Sequence, residues 1–568
     1  MRPLDFLKQD AKTPLRRRYV AAGAVFEIST NSEPILAVAD ETFPELTKLD
    51  RAIDCRLRFW VDPAAGFGPP WPKPFFRGLG HLIFAGFDAQ NSLLADLRGR
   101  RVIGRFSPLM SRDPSYWKTV IFPVLMTMVG ATVGVTELHC ACVERHGDGL
   151  LLAGVSGSGK STLSLALAQA GFGFLSDDRT YLSRQSGRLV AWGLPTRLKV
   201  RREAAAFFPE LRAREPGVAL NGERAFEIDP EAQLHLRRAR SCEPRRLIFL
   251  EPPEAPGTSA TPIFDIAEVR PDEAAARLTS DLLPETAEAA AAQRQAVDEL
   301  VKLPAYRLLH GGDPQTVARE LVRWCEAPPA GDSAARSNGA HIPSPTLDPL
   351  RRFIPTPLAA SLPVMGRTVR LETNSGAVLD QVRRLLGLYP GPPPGEPAFL
   401  WRIVAQADPA VTLPWPEVSA FSEPGLRYVT FGHRSFAAVD LEARQAVAFL
   451  ADSLATDEPG FSAPFLERLF LLTSGALGLT AVGAACVSMG QRALLVFGPP
   501  MSGKTTSCYL ATRLGLEFPT DQAAFLEATN AGLRAWGEFW PTAFRADTLH
   551  FLPELEPLTR RFQYRDLS

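Results

Sequence analysis

The chain has 568 residues, too many for one hydrophobic core and enough for about two to four folded units. It is 46% hydrophobic and 22% charged, with 43 glycines and 50 prolines, which excludes a fibrous or disordered chain and points to many turns. Lysine plus arginine equals aspartate plus glutamate at 62 each, so no overall positive field gathers nucleic acid or an anionic membrane, and any anionic ligand needs a local site.

From the N-terminus, residues 1–23 carry basic side chains but no apolar run of signal-peptide length. An apolar, strand-like run then leads into Thr30-Asn31-Ser32. The most apolar stretch, Ile121 to Val135, contains Pro123 and is shorter than the ~20 residues of a membrane-spanning helix, so a buried helix is expected there. The seven cysteines are scattered, with no C-x-x-C pair, which argues against zinc and against a disulfide framework. Reduced buried thiols and a cytoplasmic protein, without membrane or nucleic-acid partners, are the expectation.

His139 lies in the apolar segment TELHCACV, expected as the strand before the next one; a lone histidine in such a place is more commonly a satisfied core residue. GLLLAGVSGSGKSTLSLALAQAG (149–171) then reads as a buried strand, a glycine-rich turn and a helix, the context of a P-loop. Gly154, Gly157 and Gly159 allow backbone conformations closed to other residues, so that loop N–H groups, including those of Ser156 and Ser158, can point at phosphate oxygens. Lys160 supplies a charge for the terminal phosphates, Ser161 a hydroxyl for Mg²⁺, and the helix N-terminus with Thr162 a favourable dipole.

After that helix, FGFLSDDRTYL places Asp177-Asp178 at the end of an apolar strand. Of Asp177 and Asp178, one carboxylate can hold Mg²⁺, directly or through water and together with Ser161, while the other takes the proton of an attacking hydroxyl; solvated turn residues or a helix cap are the alternative. Further on come Trp192-Gly193, the apolar strand RRLIFLE (245–251) and an Ala-rich helix around EAAARL.

The chain repeats itself at a spacing of about 344 residues. Thr30-Asn31-Ser32 returns as Thr373-Asn374-Ser375, Lys160 as Lys504, and Trp192-Gly193 as Trp536-Gly537; RRVIGRF resembles RQAVAFL and ELHCACV resembles AVGAACV. Residues 326–346, rich in Pro, Ala, Gly and Ser, read as a linker between a first module, 1–325, and a second, 347–568. The second copy ends soon after its Trp-Gly pair, so the counterpart of 225–325 is missing from it. Its loop keeps Gly498, Ser502, Gly503, Lys504, Thr505 and Thr506, so nucleotide binding remains chemically open, but Gly483 stands where the first copy has His139 and Gln522 where it has Asp178, leaving Asp521 alone. A glutamine cannot take a proton at neutral pH, so the second module is expected to be a binding, regulatory or pseudo-dimeric partner; two full sites with different bases are the alternative.

LHCACV, GVSGSGKST and AGFGFLSDD together resemble the HPr kinase/phosphorylase family, P-loop serine kinases with a fold akin to phosphoenolpyruvate carboxykinase. The resemblance is specific over about 137–182. It implies two tandem α/β modules of this type, each with a strand-rich N-terminal segment. It implies His139 as an active-site residue assisting proton movement, Lys160 as the phosphate-binding lysine, Ser161 as a magnesium ligand and Asp178 as the base on an acceptor serine. The family's downstream metal-binding glutamate and late arginine have only positional candidates here, Glu203 and Arg197, Arg201 or Arg202. The function expected is an ATP- and Mg²⁺-dependent serine kinase acting on a small protein or peptide. The alternatives are a nucleotide-binding switch or scaffold with little transfer activity, and a small-metabolite kinase or NTPase. An intramolecular pseudo-dimer or a homo-oligomer is a further expectation.

Overall fold

The computed structural model describes residues 11–46, 51–66, 68–194, 196–212, 214–218, 224–251, 263–279, 287–326, 354–389, 395–407, 418–457, 460–499, 501–540, 542, 544 and 546–558. The fold is mixed α/β with several sheets. One compact unit is built on 12–83 and 95–350, the other on 84–94 and 351–568. The expected linker, apart from Glu326 at the end of the helix Pro314–Glu326, lies outside the described residues.

Two seven-stranded sheets have the same strand order. The first runs Leu15–Ala21, Ala24–Thr30, Cys55–Val61, Arg101–Phe106, Ser92–Asp96, Leu82–Gly86, Phe75–Leu79; the second runs Leu358–Val364, Arg367–Thr373, Phe399–Gln406, Gln445–Ala451, Ser435–Asp440, Leu426–Phe431, Val418–Glu423. Each opens with a hairpin whose two turn residues have positive φ, Ala22-Gly23 in one and Met365-Gly366 in the other, matching the twist of the flanking strands. The repeated Thr-Asn-Ser has a structural role in both. Asn31 donates to Val61 O at 2.9 Å and accepts from Val61 N at 2.7 Å; Asn374 does the same with Ala405, at 2.8 Å both ways. The asparagine thus ties the end of one strand to its parallel neighbour.

The helix expected over 121–135 runs instead over Pro114–Val133, and Val135 already begins a strand. Asp113 accepts the N–H of Tyr116 and Pro114 occupies the first helical position, a start signal lying before the apolar run itself. Pro123 is tolerated because Trp117–Ile121 forms a wider π-helical turn, which relieves the clash proline makes with the preceding turn. The run is long and apolar enough to cross a membrane at mean hydropathy 1.3, yet 61% of it is buried inside the protein, as the sequence led one to expect.

In the first unit a central sheet follows the order Gly173–Ser176, Cys140–Arg145, Asp148–Ala153, Ser241–Glu251, Arg188–Trp192, Thr180–Gln185, Val135–Leu138. Ala305–Gly311 pairs in parallel with Ser241–Glu251, which pairs in parallel with Asp148–Ala153. Alternation sends Leu150, Leu152, Ile248 and Leu250 into one core with Leu163 and Leu167 of the following helix. Leu151, Ala153, Leu247 and Phe249 enter another core with Val297 and Leu300. Both faces are covered, which explains why these strands read as continuous apolar runs.

The corresponding strands of the second unit form two separate three-stranded sheets, Arg492–Val496/Ala485–Met489/Glu517–Thr520 and Thr480–Val482/Ala524–Thr529/Gly532–Trp536. Among the described residues no strand stands between them as Ser241–Glu251 does in the first unit. Leu494 is accordingly 62% exposed, whereas Leu150, its counterpart in the repeat, is buried.

The Trp-Gly pair is likewise structural. A Cβ on Gly193 would lie 2.0 Å from Leu175 O, and one on Gly537 2.0 Å from Pro519 O. Glycine is therefore demanded by backbone on backbone. Gly193→Ala and Gly537→Ala should each destabilise their unit by about 3 kcal/mol or more. Gly376→Ala, in the first turn of the helix Gly376–Leu386 with nothing within 4 Å of the added carbon, should stabilise by about 0.5 kcal/mol. Urea unfolding of the three variants checks both signs.

Candidate phosphate-binding sites

The loop 154–159 leaves the carboxyl end of the strand Asp148–Ala153, one of three parallel strands in a mixed sheet, and feeds the helix Lys160–Gln169; the carboxyl ends of such strands are where ligands commonly bind. Gly159, at φ 94°, turns the chain into the helix. A Cβ there would also come within 3.0 Å of the His310 ring, so conformation and space both demand glycine. Lys160, a residue only 7% exposed, lies back over the loop, and its ammonium donates to Gly154 O at 2.6 Å and Val155 O at 3.4 Å. Ser161 and Thr162 sit half-buried in the first turn, where orphan N–H groups and the dipole favour an anion. Arg201 reaches Ser156 Oγ at 3.4 Å, and the Ser158 hydroxyl is buried without a hydrogen-bond partner.

His139 is neither in the core nor within a strand. It stands exposed at the break between Val135–Leu138 and Cys140–Arg145, which pair with different neighbours. The expectation of one continuous strand is corrected: the chain changes partners at His139, and the turn throws the imidazole outward. Its Nε2 meets Asp178 Oδ1 at 2.8 Å, with 41% and 55% of the two side chains accessible, so an incoming acceptor can reach both. Burial would raise the Asp178 carboxyl, but the His139 hydrogen bond and the charges of His139, Arg179 and Lys160 outweigh it and hold it below the usual carboxylate range. With Asp178 ionised, Nε2 carries the proton and donates.

Asp177 faces the other way. It is 6% exposed and accepts the Lys199 N–H at 2.9 Å. Burial pushes its carboxyl up to about 7, against the Lys199 hydrogen bond and with the Asp178 charge adding to the rise. The two adjacent carboxyls thus differ in direction, exposure and proton affinity. Of the positional candidates, Arg201 is brought to the loop, while Arg202 and Glu203 sit exposed on the turn 202–206.

His310 was not singled out by its sequence. It ends the strand Ala305–Gly311 and its Nε2 lies 2.9 Å from Ser158 O, within the loop. Desolvation lowers its pKa against the raising effect of the Ser158 carbonyl, so the neutral ring donates Nε2–H. The available signal was a histidine before Gly311-Gly312 at the end of an apolar strand, but only strand order puts that end beside the loop.

The second loop, 498–503, repeats the lysine contact: Lys504 donates to Gly498 O at 2.8 Å and Pro499 O at 3.0 Å. Gly503, at φ 83°, begins the helix Lys504–Thr512, whose first turn holds Thr505 and Thr506, and Ser502 Oγ packs against Gly498. Thr505 Oγ1 donates to Asp521 Oδ2 at 3.2 Å. Glu538, which the sequence reading also passed over, accepts from Ala523 N at 3.0 Å and Asp521 N at 3.4 Å. Burial, a hydrogen bond shared with the Asp521 side chain and the Asp521 charge push Glu538 up to about 9, against the Ala523 hydrogen bond.

No protein-family model matches the chain, and no curated protein does. Among solved structures, the HPr(Ser) kinase/phosphatase from Coxiella burnetii is similar at 16% identity over 34% of this chain and 99% of that chain, with a TM-score of 0.18. At that level the likeness says nothing about chemistry, which stands on the geometry above.

His310 gives the first loop a pH dependence. A ring whose folded pKa lies below its unfolded value contributes stability present above about pH 6.5 and lost as pH falls through the folded pKa. His310→Gln should flatten the fall of the first unit's thermal midpoint below pH 6.5, read by scanning calorimetry from pH 5 to 8.

Proposed function

We propose that the chain consists of two tandem P-loop modules and that the first is an ATP-dependent kinase transferring phosphate to a serine hydroxyl of a small protein or peptide. The observation that carries this reading is the His139–Asp178 pair at 2.8 Å, open to solvent and close enough to Lys160 for its charge to act on Asp178. In this reading the N–H groups of the loop 154–159 and the start of the helix cradle the triphosphate, and Lys160 turns from the loop carbonyls to the terminal phosphates.

Asp178 accepts the proton of the acceptor hydroxyl as its oxygen closes on the γ-phosphorus and the bond to the β-phosphate oxygen breaks. Its lowered pKa keeps it ionised at neutral pH, and His139 fixes the carboxylate by donating to Oδ1. Ser161 and Asp177 offer hard oxygen donors of the kind magnesium takes, and they are the residues that would hold it. When bound, the ion neutralises charge on the phosphate oxygens. The second module, with Gly483 and Gln522 in place of the histidine and aspartate, is read as a nucleotide-binding partner without transfer of its own.

Label transfer from γ-labelled ATP to serine-containing small proteins tests this. Asp178→Asn should cut transfer by about 100-fold or more while ATP affinity, measured by calorimetry, stays within about twofold. Lys160→Ala should weaken binding as well. Transfer that survives Asp178→Asn overturns the assignment of the base, and ATP binding with no transfer by the unaltered chain leaves a nucleotide-binding switch.

A further inference from the structure

In the first copy the strand Asp148–Ala153 has Cys140–Arg145 on one side and Ser241–Glu251 on the other. Its counterpart Arg492–Val496 pairs with Ala485–Met489, and among the described residues no strand lies on its other edge. Gly532–Trp536 also ends its sheet, whereas its counterpart Arg188–Trp192 borders Ser241–Glu251. The two halves meet alike in both copies, through Gly193 on Leu175 O and Gly537 on Pro519 O. What differs is the strand between them.

A bare edge strand offers a row of N–H and C=O groups to any extended chain. Here it also offers apolar surface. Leu494, Phe497 and Leu510 are exposed, whereas their counterparts Leu150, Ala153 and Ala166 are buried. The first copy shows that this position is covered by a parallel strand, and two substitutions show how a strand covering the second must differ. Asp148 pairs with Arg245 of the covering strand at 3.0 Å, but Arg492 stands in its place, exposed and without an ion pair among the described residues. A Cβ on Gly149 would meet Cys242 Sγ at 2.5 Å, and the second copy has Ala493 there. Another copy's Ser241–Glu251 is buried in its own sheet, and it would set Arg245 against Arg492 and Cys242 against Ala493.

We propose that Arg492–Val496 is a docking edge receiving, in parallel, an extended segment of another protein, with a carboxylate set against Arg492, a small residue beside Ala493 and alternating apolar side chains beyond. The hydrogen-bond row and apolar side chains give affinity, while the exposed ion pair sets register and partner choice. The inference is independent of phosphate transfer by the first module.

Fluorescence anisotropy of labelled synthetic peptides titrated with the full chain tests it. Both peptides carry residues 241–251 with Cys242→Gly; one keeps Arg245 and the other has Arg245→Glu. The Arg245→Glu peptide should bind about fivefold more tightly, and Arg492→Glu in the protein should reverse the order. Leu494→Lys, at an exposed position, should weaken both by about tenfold or more while the thermal midpoint holds. The slot of the first copy is filled by its own strand, so binding there would ignore both protein substitutions. No binding of either peptide, a preference unmoved by Arg492→Glu, or binding indifferent to Leu494→Lys overturns the proposal. Sedimentation showing a dimer that Leu494→Lys dissociates would make a second copy the occupant, and that too overturns it.

Discussion

The strand Ser241–Glu251 is the constraint on which the first site depends. It lies between Asp148–Ala153 and Arg188–Trp192 and so joins two halves of a sheet that would otherwise be separate. Its parallel pairing with Asp148–Ala153 and with Ala305–Gly311 aligns the carboxyl ends of three strands, and the glycine-rich loop and His310 both emerge at that edge. Burial of alternate residues on its two faces, Leu247 and Phe249 on one and Ile248 and Leu250 on the other, makes the arrangement rigid enough to hold a loop of unusual backbone conformation.

The second unit is an internal comparison for this point. The same small strands occur there in the same pairings, yet as two three-stranded sheets, and Arg492–Val496 has exposed side chains where its counterpart is buried. The loop nevertheless keeps its lysine-to-carbonyl closure, so the local geometry of Gly-x-x-x-x-Gly-Lys is set by its own backbone more than by the completeness of the sheet behind it. What changes is the electrostatic setting. Asp177 is answered by a backbone N–H, whereas Asp521 is answered by a threonine hydroxyl and faced by another carboxyl.

The adjacent aspartates of the first unit illustrate how one turn separates two chemistries. Neighbours in sequence at the end of a short strand point in opposite directions, so burial acts on Asp177 while an imidazole acts on Asp178. One is pushed towards neutrality near pH 7 and the other is kept ionised, and neither property follows from the dipeptide itself.

Much of the architecture was legible in the sequence. Alternation and apolar runs marked the strands, the glycine spacing marked the loop and its helix, and recurrence at constant spacing marked the repeated asparagine clamp and the Trp-Gly pair, because backbone-determined features depend on residues close in the chain. The helix start at Pro114 was less visible, since it lies in a polar segment ahead of the apolar run. Tertiary structure alone decided that His139 sits at a change of strand partner facing Asp178 and that His310 closes on the loop from 152 residues away. It also decided that Glu538 meets Asp521. Such contacts are set by strand order and by which way a turn throws a side chain, and a linear pattern carries neither.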